Sequence, residues 1–131
     1  MEEIGELCRE KNVYLHTDAA QAVGKIPIDV KNFDFLSLTG HKFYGPKGIG
    51  ALYVRRKPRV RLHSQMSGGG QEKGLRSGTL APNLVVGLGE ACRLAKSEME
   101  NDSDHISQLT RKFLKSVRSI APNLVINGDA Q

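Results

Sequence analysis

The residues best suited to chemistry surround Lys42, in the stretch LSLTGHKFYGPKGIG. This lysine lies between a histidine and two aromatic residues, directly after an apolar run and inside a cluster of glycines. Three roles are open to such a lysine. It could be an ordinary loop residue, a cation that binds a phosphate, or an amine that forms a covalent bond with a carbonyl group.

Two glycine patterns in this stretch test the phosphate role. Gly40 and Gly45 have the separation of a G-x-x-x-x-G phosphate loop, but Lys and then Ser or Thr must follow, and the chain continues Pro-Lys-Gly. The segment GIGALY resembles the start of a dinucleotide-binding fingerprint. It lacks the third glycine and leads into a strand-like run where the fingerprint needs a helix. We therefore exclude both nucleotide motifs.

Residue spacing also argues against a metal site and a serine nucleophile. His16 and Asp18 are two apart on a predicted strand, and His41 and His63 are isolated. These spacings do not match those of zinc ligands. The serine, histidine and acidic residues form no recognisable nucleophile motif. We predict that the chain binds no metal.

A lysine that forms a Schiff base with pyridoxal 5'-phosphate (PLP) remains. This cofactor needs a carboxylate for its ring nitrogen, a polar partner for its phenolic oxygen, and hydroxyl or amide donors for its phosphate. Each candidate also has a structural interpretation, because Asp after a strand and Thr or His near glycines are common in turns. The candidates for these three needs are, in order, Asp18, Gln21, and the set Thr39, His41 and Thr79.

The predicted elements bring several of these residues to one place. Residues 2–11 have helical periodicity, the next apolar run predicts a strand that ends at Thr17 and Asp18, and FDFLSL predicts a buried strand that ends at Thr39. GALYVRR predicts a third strand. Alternation of helix and short buried strands is typical of an α/β fold with a mostly parallel sheet flanked by helices. Ligands in such sheets bind beyond the carboxyl ends of the strands, where the candidates lie.

The last third of the chain is predicted to be helical. A long loop precedes it, at residues 64–83. Apolar residues at spacings of three and four predict one helix from about Pro82 to Asn101 and a second through Ile106 to Ile120, capped within residues 102–104. LVIN, at residues 124–127, predicts a short strand.

Composition is that of a soluble globular protein, with 39% hydrophobic and 25% charged residues. No apolar run approaches the roughly 20 residues of a membrane span, and the acidic start is unlike a targeting leader. Cys8 and Cys92 are too few for a disulfide framework, and we expect reduced, buried thiols.

The net charge of +5 is concentrated in RRKPRVR, residues 55–61, which we call the basic run. It could be a solvated surface or a docking site for an acidic partner. No aromatic platform or recognition motif accompanies this charge, so we do not predict nucleic-acid binding.

The order of three segments resembles one enzyme family. HTDAAQAVGKIPIDV, SLTGHKFYGPKGIGALYVRRKPRVR and SGGGQEKGLRSGTLAPNLVVGLGEA are similar to the central region of the cysteine desulfurases that supply sulfur for iron–sulfur clusters. Those are PLP enzymes of the class V aminotransferase family. The likeness runs from about Val13 to Met99 and is strongest to the mitochondrial and related bacterial housekeeping branch.

The resemblance implies a role for each residue that would hold the cofactor ring. Lys42 would form the Schiff base with PLP and later move the substrate proton. Asp18 would pair with the ring nitrogen, and Gln21 would bond the phenolic oxygen.

The resemblance also implies how the phosphate is held. Thr39 and His41 would bind it, and Thr79 would reach the phosphate of the partner subunit's cofactor, because the family forms homodimers with sites at the interface. Phe43 and Tyr44 are expected to pack under the loop.

The chain also departs from the family. The interval between Asp18 and Lys42 is a couple of residues shorter than expected, which we interpret as a trimmed loop. The family's sulfur-accepting cysteine, ring-stacking histidine and substrate-carboxylate arginine have no counterpart here. Neither Cys8 nor Cys92 corresponds to the family's sulfur-accepting cysteine or to its ring-stacking histidine. We expect an internal piece, with residues 1–82 the second half of the large PLP-binding domain and 83–131 leading into a small α/β domain.

The resemblance implies that the whole protein removes sulfur from L-cysteine, giving L-alanine and an enzyme persulfide, while this piece alone is inactive. It implies a homodimer, an iron–sulfur scaffold protein and a frataxin-like acidic partner, the last docked on Arg56, Arg59 and Arg61. No membrane partner is expected. The implied compartment is the mitochondrial matrix, or the cytoplasm of a bacterium. A selenocysteine lyase, another enzyme of the class, or a non-catalytic basic interaction module are the alternatives.

Overall fold

A computed structural model describes residues 1–128 as an α/β arrangement, which confirms the predicted class. Three short 3-10 turns lie between the main elements. The helices and strands are α1 (Glu2–Glu10), β1 (His16–Asp18), β2 (Phe35–Thr39), β3 (Gly50–Val54) and α2 (Pro82–Ile120). No helix in this part of the chain is long and apolar enough to cross a membrane.

The described strands form a mixed sheet in the order β1-β2-β3, rather than a mostly parallel one. β1 and β2 are parallel, with Asp18 opposite Ser37, whereas β3 is antiparallel to β2, with Gly50 opposite Thr39. A parallel return would need a crossover of about a dozen residues or more. β2 and β3 are joined by residues 40–49, which contain Lys42, and this connection is short enough that β3 runs back antiparallel to β2.

The core lies where the turn after β1 meets β2. Ala19, Phe33 and Leu36 are buried there, and Leu38 and Tyr53 are among the half-buried side chains that pack against them. Phe33 lies two residues before β2 and is 5% exposed, so the segment that leads into the strand is anchored in the core. β2 then pairs with β3 along its whole length and with β1 over residues 35–37, and the shortened interval before it leaves the strand complete.

The two helices predicted for the last third are one continuous helix, α2, of 39 residues. The prediction of a cap within residues 102–104 is therefore wrong. No glycine or proline lies between Glu90 and Ile120, so nothing in the sequence obliges the helix to stop. It ends at Ile120, and the next residue, Ala121, precedes a proline and has a non-helical backbone, with φ −126° and ψ 79°. The strand predicted at residues 124–127 is absent from the described residues.

The apolar face expected on the distal part of α2 is largely open. Ile106, Leu109, Phe113 and Ile120 are all more than half exposed within residues 1–128. The expectation of buried thiols is also wrong for Cys92, which is free and exposed, while Cys8 is free and half-buried.

Candidate active site

Lys42 lies on a closed loop between β2 and β3, residues 40–49, which we call the lysine loop. The N–H of Gly40 donates to the carbonyl of Ile49 at 3.0 Å, which closes the base of the loop. The N–H groups of Phe43 and Gly45 both donate to the carbonyl of Gly40, at 3.2 and 2.9 Å. These bonds hold the backbone on both sides of Lys42.

The proximal part of α2 packs on this loop through small residues. A Cβ atom on Gly87 would lie 2.9 Å from Cγ of Pro46, so the helix and the loop touch at a distance that only glycine allows. Gly24, with φ +78°, is similarly close to Phe43 and to Ala95 of the same helix. The lysine loop is therefore wedged between the turn after β1 and α2.

The two aromatic residues after Lys42 behave differently. Phe43 is 3% exposed and packs as predicted. Tyr44 is 97% exposed and has φ +67°, so the prediction that it packs under the loop is wrong. Because Tyr44 has the left-handed backbone conformation, it turns away from the surface on which Phe43 is buried.

The amine of Lys42 is exposed and makes no hydrogen bond or ion pair to any residue in the range 1–128. Lys42 lines a groove of about 680 Å³ between the lysine loop and α2, but no other predicted site residue does. The helical wall presents carboxylates, among them Glu98 and Glu90, and the Arg93 guanidinium bonded to Glu90 holds the pKa of that carboxyl below its usual range.

The carboxyl end of β2 carries the phosphate-type donors. Oγ1 of Thr39 lies 3.0 Å from Nδ1 of His41 and also donates to the carbonyl of Ile49 at 3.5 Å. The hydroxyl and the imidazole are thus held together at the point where β2 ends. Nε2 of His41 makes no hydrogen bond within the described residues.

The carboxylate and the amide come from the turn after β1. Oδ1 of Asp18 accepts from the N–H of Ala20 at 3.0 Å, which fixes the exposed side chain at the strand end. Oε1 of Gln21 accepts from Nζ of Lys25 at 3.2 Å, and this orients the amide so that its nitrogen can donate to a ligand. Asp18 therefore bonds within the turn, as its structural interpretation predicts, and its side chain is also an exposed carboxylate.

The structure brings most of the sequence candidates together at one edge of the sheet. β1 and β2 are parallel and adjacent, so Asp18 and the Thr39–Lys42 segment follow neighbouring carboxyl ends. Thr79 is the exception. It is exposed, lies in the loop before α2, and makes no hydrogen bond to the others within residues 1–128.

These side chains fit PLP by their chemistry. An unpaired amine, an exposed carboxylate, an amide donor, and a hydroxyl next to an imidazole supply a partner for each polar group of that cofactor. The described residues contain no group of three or more His, Cys, Asp or Glu placed to hold a metal ion.

The basic run begins at the other end of the sheet. Because β3 is antiparallel to β2, Val54 lies opposite Phe35, where β2 starts. Arg56, Arg59 and Arg61 are exposed there. Arg55 is not, because its guanidinium bonds the carbonyl of Phe33 and pairs with Asp34. Sequence reasoning missed this pair, because nothing in the run distinguishes Arg55 from Arg56.

Comparison with known proteins identifies the family. The model of the class-V aminotransferases matches residues 1–131. The chain is 64% identical to the mitochondrial cysteine desulfurase of Arthroderma benhamiae, over 98% of this chain and 26% of that protein. It thus spans about a quarter of the length of that relative.

Solved structures share the fold. SspA in complex with cysteine is 54% identical, with a TM-score of 0.66 over 70% of this chain and 27% of its own. A NifS-like protein is 35% identical, with a TM-score of 0.85 over 92% of this chain and 33% of its own. The chain belongs to the class-V aminotransferase family.

Proposed function

We propose that this chain is the part of a PLP-dependent cysteine desulfurase that carries the cofactor-binding lysine. The whole protein would remove sulfur from L-cysteine to give L-alanine and an enzyme persulfide for iron–sulfur cluster assembly. The observation that carries the proposal is the exposed amine of Lys42 next to the Thr39–His41 pair, two of whose atoms lie 3.0 Å apart at the end of β2. Members of the family are PLP-dependent, and cysteine desulfurases are among the relatives.

Lys42 would hold the cofactor through Nζ and then take and return the substrate proton at the same atom. The amine is suited to both tasks, because the loop backbone is bonded on either side of it while the side chain makes no hydrogen bond or ion pair within residues 1–128. When bound, PLP supplies an electron sink for the electrons released at the substrate's α-carbon.

The neighbouring side chains would bind and orient the cofactor. Asp18 would keep the ring nitrogen protonated, since a carboxylate stabilises a nearby positive charge. Gln21 would donate to the phenolic oxygen, and Thr39 and His41 would donate to the phosphate.

The remaining assignments concern the whole protein. We propose a homodimer in which Thr79 reaches the phosphate held by the other subunit, and this would account for its separation from the other candidates. Residues 1–82 would complete the large domain. Residues 83–131, of which 129–131 lie outside the described residues, would lead into the small domain.

The three exposed arginines of the basic run would dock an acidic frataxin-like protein, and the iron–sulfur scaffold protein would receive the sulfur. L-Cysteine is the proposed substrate. The mitochondrial matrix is the proposed compartment, because a named relative is mitochondrial, with the bacterial cytoplasm as the alternative.

The test replaces Lys42 in the full-length protein and titrates PLP, following the visible absorbance of the bound cofactor and the release of alanine from cysteine. Lys42→Ala is expected to abolish the lysine-dependent absorbance band and alanine release. Lys47→Ala is the matched control, because Lys47 is an exposed lysine on the same loop. An unchanged band in Lys42→Ala, or its loss in Lys47→Ala, would refute the assignment.

A further inference from the structure

We propose that Asp34 and Arg55 form a positioning pair that sets the register of the three strands and thereby places Asp18 relative to Lys42. We call these two residues the strand clamp. The effect on cofactor binding rests on the function proposed above, but the effect on strand register does not.

Asp34 is bonded to both neighbouring strands at the point where β2 begins. Its Oδ2 accepts from the N–H of Leu15 at 2.9 Å, and its own N–H donates to the carbonyl of Leu15 at 2.9 Å. On the other side, its carbonyl accepts from the N–H of Arg55 at 2.8 Å. Asp34 therefore bonds both to the residue before β1 and to the residue after β3.

Arg55 bonds to the same region through Nε and Nη2 of its guanidinium group. Nη2 donates to the carbonyls of Lys31 and Phe33, at 2.7 Å each, and Nε lies 3.4 Å from Oδ1 of Asp34. The side chains of Asp34 and Arg55 are each only 16% exposed. Arg9 of α1 donates to the same Lys31 carbonyl at 3.2 Å, so the first helix is tied to the clamp as well.

The register of β1 against β2 depends on contacts outside the strand pair, because β1 is short. It has three residues, and three pairs of residues define its register with β2. A slip of one residue would turn every side chain of β1 to the other face. A slip of two residues would keep the faces but move Asp18 by about 7 Å along β2, out of reach of a ring held by Lys42.

The clamp acts through the strands, since it lies at their other end. Leu15 is bonded to Asp34 at the start of the β1–β2 pair, and the N–H of Ala19 donates to the carbonyl of Ser37 at 2.8 Å at its end. That bond at Ala19 reports the register next to Asp18. The hydrogen exchange rate of the Ala19 amide therefore reports the effect of the clamp on strand register, and it does not depend on the cofactor.

The experiment compares Arg55→Lys and Asp34→Asn with the control Lys31→Met in the full-length protein. Arg55→Lys keeps the charge but replaces the rigid fork of Nε and Nη2 with a single nitrogen on a flexible stem, so the spacing of the donors is lost. Lys31→Met breaks only the exposed Asp29–Lys31 pair, whose atoms lie 3.7 Å apart, and leaves the Lys31 carbonyl in place. The measurements are amide exchange at Ala19, the Kd for PLP, and the pH dependence of the visible absorbance.

We expect the amide proton of Ala19 to exchange faster in both clamp variants and the pH dependence of the absorbance to shift. PLP should bind about tenfold to a hundredfold more weakly, because a displaced Asp18 loses a charge-assisted hydrogen bond to the ring nitrogen. Lys31→Met should match the wild type in all three. Clamp variants that lose thermal stability but keep the wild-type Ala19 exchange, Kd and pH dependence would overturn the proposal. If Arg55→Lys does not fold, Asp34→Asn decides. Its amide oxygen can still accept from the N–H of Leu15, so this variant should fold, but it has lost the charge that pairs with Arg55.

Failure of the function proposed above gives a different result. In that case the wild-type protein would show no lysine-dependent PLP band, while the exchange of Ala19 in the clamp variants would still support or refute the role in strand register.

Discussion

The contact between α2 and the lysine loop predicts opposite effects for two neighbouring glycines. Gly87 and Gly89 both lie inside α2. A Cβ atom on Gly87 would lie 2.9 Å from Cγ and 3.1 Å from Cδ of Pro46, whereas one on Gly89 would meet nothing within 4 Å. Alanine at either position gains the same helix propensity, so the difference between the two variants isolates the contact with the loop.

The expected changes in the free energy of unfolding follow from helix propensity and from the contact with Pro46. Glycine to alanine inside an exposed helix stabilises it by about 1 kcal/mol, and this is the expected gain for Gly89→Ala. At Gly87 the same gain is opposed by overpacking, which costs about 1 to 3 kcal/mol because the ring of Pro46 is rigid and has to move with the loop. Gly87→Ala should therefore be less stable than Gly89→Ala by about 1 to 3 kcal/mol.

The assay is denaturant unfolding of the two full-length variants, together with PLP titration, since a displaced lysine loop moves Lys42. Gly87→Ala is expected to bind PLP more weakly and Gly89→Ala to bind it normally. Adding Pro46→Ala removes the ring atoms that the new methyl group would meet, so it should recover most of the loss in Gly87→Ala. Equal stabilities for the two glycine variants, or no recovery with Pro46→Ala, would refute the argument that helix and loop are in contact here.

Three further predictions follow from the site. Phe43→Ala should destabilise the full-length protein by about 3 to 5 kcal/mol and Tyr44→Ala far less, because one ring is buried and the other is exposed; unfolding curves that give similar losses would contradict this. Thr39→Val should weaken PLP binding about tenfold to a hundredfold by removing a donor to a charged phosphate, and an unchanged Kd would remove Thr39 from the site. Reversing the charge of the three exposed arginines of the basic run should abolish salt-sensitive binding of an acidic partner without lowering the melting temperature; retained binding would place the docking surface elsewhere.

The parts of the site that sequence could predict are those that local patterns determine. The strands before Asp18 and Lys42 are short apolar runs that end in polar residues, and these patterns predict strand ends without knowledge of the partners. Parallel pairing of β1 and β2 then brings the two ends together. The family resemblance added the roles of the individual residues, which no periodicity could supply.

The parts that could not be predicted depend on contacts between distant segments. Asp102 and its neighbours look like a helix cap in sequence, but α2 passes through them, because a good cap residue ends a helix only where the backbone also turns. Tyr44 and Phe43 are adjacent aromatics, and only the positive φ of Tyr44 separates their environments. Arg55 has the same charge as Arg56, yet Asp34 and two carbonyls hold it against the sheet.

The direction of β3 separates the two surfaces that carry charge. Lys42 follows the carboxyl end of β2, whereas the basic run follows β3, which returns to the end where β2 begins. The length of β2 therefore lies between them, about 13 Å for a strand of this size. A protein docked on Arg56 and Arg59 would contact the sheet at the strand clamp and leave the lysine side open to the cofactor. Charge reversal in the basic run should then weaken partner binding without changing the Kd for PLP, whereas Arg55→Lys should change that Kd although it keeps the charge of the run.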